Sequence, residues 1–77
     1  KEYPEAIVYL KKTIKMQPGI AIVHLNLARC LLEYKQYDSA IVYFNKTLAI
    51  EPALTMAQQG LQKALQQKSV ADTTKRQ

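Results

Sequence analysis

His24 and Cys30 are the one imidazole and the one thiol in the chain. Side by side they could form a base-activated nucleophile. Six positions separate them, which puts them on different faces of a helix, so we expect both to pack rather than react. One Cys allows no internal disulfide and no thiolate metal cage. A metal would need three or four ligands at suitable spacing, and His, Cys and carboxylates show none. The acids Glu2, Glu5, Glu33, Asp38, Glu51 and Asp72 are dispersed, so no acid–base carboxylate pair is indicated. A glycine-rich phosphate loop is absent, since Gly19 and Gly60 are the only glycines. The expectation is therefore no enzyme, no cofactor and no metal.

Net charge is +5, which raises the question of nucleic acid. Only Lys11, Lys12 and Lys15 cluster, near the end of a helix where positive charge also offsets the helix dipole. Five tyrosines could stack on bases. Tyr3 and Tyr37, and again Tyr9 and Tyr43, instead recur at one period, which favours an architectural role. A basic nucleic-acid-binding helical domain is therefore only the weakest of the alternatives. No apolar run approaches the ~20 residues of a membrane span. The start lacks the basic and apolar regions of a signal peptide, and the chain opens on Lys1 straight into a structured pattern, as a piece of a longer protein would. A cytoplasmic or otherwise intracellular setting is expected.

The elements that position these residues follow from an internal repeat. Tyr3–Ile20 aligned with Tyr37–Leu54, an offset of 34, gives 8 identities in 18 pairs. They are Tyr3/Tyr37, Ala6/Ala40, Ile7/Ile41, Val8/Val42, Tyr9/Tyr43, Lys12/Lys46, Thr13/Thr47 and Pro18/Pro52. Each copy reads as an amphipathic helix, with Ala40, Ile41, Phe44, Thr47 and Leu48 at helical spacing in the second. Asp38 or Ser39 should cap that helix, and Pro18-Gly19 and Pro52 should stop the two copies. Between them Ile20–Tyr34 forms a second kind of helix. It carries a stripe of Val23, Leu27, Ala28 and Leu31 beside one of Ile22, Leu25 and Leu32, so it should be sandwiched or line a groove. After Pro52 a glutamine-rich helix follows, with a stripe of Leu54, Ala57, Leu61, Ala64 and Leu65. Ser69–Gln77 has no apolar period and reads as a frayed tail.

These residues resemble the tetratricopeptide repeat family. Leu27, Ala28, Tyr37, Ala40, Phe44, Thr47 and Pro52 fall in its characteristic slots, in a full 34-residue copy, Ala21–Leu54. Tyr3, Ala6, Leu10 and Pro18 fill the slots of a half copy before it. His24 stands where Trp is frequent, Ala28 where Gly is, and Leu31 where Tyr is. The resemblance implies an all-α fold of four helices, antiparallel pairs stacked as a short right-handed solenoid. Its parts would be the second helix of a truncated repeat (1–19), a complete repeat (20–54), a capping helix (55–68) and a disordered tail (69–77).

The resemblance also implies a protein-interaction scaffold that holds a partner peptide or helix in a concave groove. Carried over by position, the groove lining is Ile22, Leu25, Asn26, Arg29, Leu32 and Glu33, then Met56, Gln59 and Lys63, with Gln66 and Gln67 further on. The two-carboxylate clamp of some relatives is not implied, because Met56 and Gly60 stand at its basic positions. A second possibility is a homodimer through the first helix, which has no mate within its own repeat. Its apolar residues Tyr3, Ile7, Leu10 and Ile14 would then form the self-association face.

Overall fold

A computed structural model describes residues 3–76 of the chain. Within them lie four helices: α1 (Tyr3–Met16), α2 (Ala21–Glu33), α3 (Tyr37–Ile50) and α4 (Thr55–Arg76). Among the described residues there is no strand. The fold is the all-α arrangement of stacked helices expected from the repeat.

Local chemistry sets the helix limits. Pro4 sits in the first turn of α1, where its missing N–H leaves no bond unmade. Pro18-Gly19 breaks the chain, and Ile20 enters α2 in extended conformation (φ −99°, ψ 108°) without a side-chain cap. α2 closes with a paired backbone motif: Lys35 N–H donates to the Leu32 carbonyl at 3.0 Å and Gln36 N–H to Leu31 at 2.8 Å. That motif needs a left-handed residue, here Lys35 at φ 64°, where glycine is the usual choice. The cap expected at Asp38 or Ser39 is not used. Helix α3 begins earlier, at Tyr37, with Gln36 as its uncapped entry residue. The chain leaves the α2 motif already turned into the new helix, with Ala40 N–H bonded to the Gln36 carbonyl at 2.9 Å.

The links between helices are short, so successive helices run antiparallel. α1 packs on α2, α2 on α3 and α3 on α4, while α2 also reaches α4. The sandwiched position expected for α2 buries most of both stripes, leaving Val23 half-buried and Ile22 exposed. Leu27, Ala28 and Leu31 are buried, and so are Leu25 and Leu32 from the adjacent face. One core runs from Ile7 of α1 through these residues to Ala40 and Phe44 of α3 and to Ala57 and Ala64 of α4. Ala28, Ala40, Ala57 and Ala64 are fully buried, and small side chains there let the helix axes close up. Thr47, in the slot that the family fills with Ala, is also fully buried. Its hydroxyl donates to the Tyr43 carbonyl at 2.8 Å, so no polar atom is stranded.

Two expectations change at the C-terminal end. The tail expected at 69–77 is helical through Arg76. No Pro or Gly interrupts Thr55–Arg76 after Gly60. The Thr73 hydroxyl bonds back to the Ser69 carbonyl at 2.9 Å. Lys68 Nζ lies 2.8 Å from Asp38 Oδ1, tying the second half of α4 to the start of α3. Leu65, placed in the apolar stripe, is instead exposed. Ala57 and Ala64 define the contact line, and Leu65 lies one position past it.

Candidate functional site

The expected groove residues do not share one environment. An open depression of about 480 Å³ lies between α2 and α4. From α2 it is walled by Asn26, Arg29, Leu32 and Glu33, and from α4 by Met56, Gln59 and Lys63. Two expected residues are not part of it. Leu25 is 1% exposed and belongs to the core, so it offers no floor to a ligand. Ile22 is 53% exposed but sits nearer the start of α2, outside the depression. Gln66 and Gln67 also lie outside it.

Four lining residues escaped the sequence reading: Tyr3, Cys30, Phe44 and Gly60. Gly60 carried a signal, because glycine inside a helix loses about 1 kcal/mol relative to Ala and asks for a reason. The reason is steric. A Cβ at Gly60 would coincide with the edge of the Phe44 ring. The missing side chain lets α4 lie against Phe44 and leaves bare backbone at that one point of the depression's α4 side. Tyr3 reaches the depression from the start of α1, which antiparallel packing sets beside the end of α2. Nothing in its local sequence indicated that.

Among the described residues the one ion pair is Lys68–Asp38, so none there involves Arg29, Glu33 or Lys63. Lys68 is different: its hydrogen bond and charge attraction to Asp38 raise its pKa above the ordinary value, with Asp72 adding to the effect.

His24 and Cys30 have separate surroundings. His24 is buried, its Nε2 is 2.7 Å from the Pro18 carbonyl oxygen, and its ring stacks with Tyr43 at a centroid separation of 6.1 Å. Cys30 is half-buried at the depression. Among the described residues no cluster of His, Cys, Asp and Glu is placed to hold a metal, and no described helix is long and apolar enough to cross a membrane.

The face expected for self-association turns inward. Ile7 is 9% exposed, and Tyr3, Leu10 and Ile14 pack half-buried against the same core. These residues share the stripe that meets α2, so they are already used. What α1 leaves open is another set, Val8, Tyr9 and Met16. The equivalence of Tyr9 and Tyr43 also fails in three dimensions. Tyr43 packs on His24 and lies under the Lys46 ammonium at 5.1 Å. Tyr9 is 69% exposed because no helix covers its side of α1.

Stacked antiparallel helices, repeated every 34 residues beside an open groove, define a helical repeat protein. The tetratricopeptide repeat family model matches residues 1–68, and the chain belongs to that family. The general role of the family is protein–protein interaction, typically without catalysis. No curated protein matches the chain.

Proposed function

We propose that the chain is an interaction scaffold that binds a partner peptide or helix in the depression between α2 and α4. The observation that carries this reading is the meeting of Asn26, Arg29 and Glu33 with Gln59 and Lys63 around Met56 and Leu32, with none of these charges in an ion pair among the described residues. A surface left open, with polar groups able to fix a ligand and apolar ones able to anchor it, suits helix-in-groove or extended-peptide recognition. Amide chemical-shift mapping with a peptide library tests it. Binding peptides should move Asn26, Arg29 and Lys63, and shifts confined to residues 69–76 would refute the groove.

A second reading is self-association through α1. Three large apolar side chains, Val8, Tyr9 and Met16, are exposed on this one helix, and clustered exposure of that kind marks interfaces. Light scattering across a concentration series tests it. A mass that stays monomeric throughout removes it.

A further inference from the structure

The two walls of the groove carry the same order of chemistry. On α2, exposed Ile22 is followed seven residues later by Arg29, and on α4, exposed Met56 is followed seven residues later by Lys63. At 1.5 Å per residue the apolar and basic groups are about 10.5 Å apart on each wall. Both helices are antiparallel to α3, so they run in the same direction. The groove thus has an apolar end at the start of α2 and α4 and a basic end two turns on. Ile22 lies outside the depression itself, on the same helix as Arg29 and nearer its start.

Building on the groove reading, we infer that the partner is an amphipathic α-helix lying along α2 and α4, with an acidic residue seven positions from an apolar one. The spacing suits a helix. In a helix, residues seven apart stand on one face and about 10.5 Å apart, matching both walls. In a β-strand the same distance is about three residues, which point to opposite faces. A β-strand therefore cannot present both groups to the groove floor. The sign of the charge follows from Arg29 and Lys63, which have no ion partner among the described residues. Glu33, one turn past Arg29, repels an acid placed further along and so fixes the register.

The test uses the whole chain and a designed Ala/Gln-rich helical peptide longer than about 15 residues, so that it holds helix in solution. It bears one Glu and one Leu seven positions apart. Three variants accompany it: Glu replaced by Lys, Leu moved to the opposite face, and a central Pro that prevents helix formation. The Glu/Leu helix should bind with shifts at Arg29 and Lys63, and each variant should bind about tenfold more weakly. In the doubly reversed protein, R29E/K63E, the preference should invert toward the Lys peptide. Equal binding of the Pro variant, with shifts still in the groove, overturns the helical partner and leaves the groove reading standing. Equal binding of the Glu and Lys peptides overturns the acidic partner. Binding with shifts on α1 instead removes the groove reading itself. Absence of binding by all four peptides overturns the inference.

Discussion

The Nε2 atom of His24 lies 2.7 Å from the carbonyl oxygen of Pro18. An oxygen acceptor requires a donor, so the proton is on Nε2, and buried Nδ1 is left without a partner. One repeat later the bond recurs with different chemistry. Gln58, at the position equivalent to His24, donates through Nε2 to the Pro52 carbonyl at 2.9 Å. Each turn that ends a second-type helix is thus held by a side chain from the next first-type helix.

The two bonds should differ in energetic weight. His24 is buried and Gln58 is exposed, so water can replace the second donor but not the first. His24→Leu should cost about 1–2 kcal/mol, because the bond is lost in a site shielded from water. Gln58→Leu should stay within about 0.5 kcal/mol. Urea denaturation of both variants decides it; equal losses would show that burial is not what gives the bond its weight.

Gly60→Ala should destabilise the protein although Ala is the better helix former. The added methyl meets the Phe44 ring, and overpacking of that kind costs about 1–3 kcal/mol. In a Phe44→Leu background the same substitution should be nearly neutral or favourable. A double-mutant cycle by chemical denaturation reads the coupling. Additive effects would mean that the ring does not set the cost.

Lys35→Gly should stabilise the protein by about 0.5–1 kcal/mol. Lys35 holds φ 64°, a region that penalises any side chain with a Cβ and suits glycine. Thermal melts against a Lys35→Ala control give the answer. The Ala variant keeps the Cβ and should gain nothing comparable.

The Lys68–Asp38 pair should give stability an alkaline limit. The folded pKa of Lys68 is raised from its ordinary 10.5. Its contribution is therefore fully present below 10.5 and is lost as pH rises through the higher folded value. The ammonium is partly solvated, so the effect should be small and should shrink with salt. Lys68→Gln should melt below the parent protein at neutral pH, and the gap should close well above pH 10.5. A gap that persists there would place the effect in packing rather than charge.

The linear chain contained the architecture because the fold is local and periodic. Recurrence at offset 34, prolines at Pro18 and Pro52, and two apolar stripes on Ile20–Tyr34 suffice to define helices, turns and the sandwiched place of α2. Seven of the nine expected groove residues line one depression for the same reason, since helical spacing carries a residue's direction along with its position. Only the tertiary structure decided what depends on neighbours far away in sequence. Leu25 and Ile22 share a helix and a chemistry, yet α2's contacts bury one and leave the other in water. Tyr9 and Tyr43 end the same four residues, Ala-Ile-Val-Tyr, yet only Tyr43 packs on a residue of another described helix. The last turns of α4 show no apolar period and are helical all the same, tied at Lys68 to Asp38, thirty positions away. Periodicity tells which way a side chain points, and packing alone tells what it meets there.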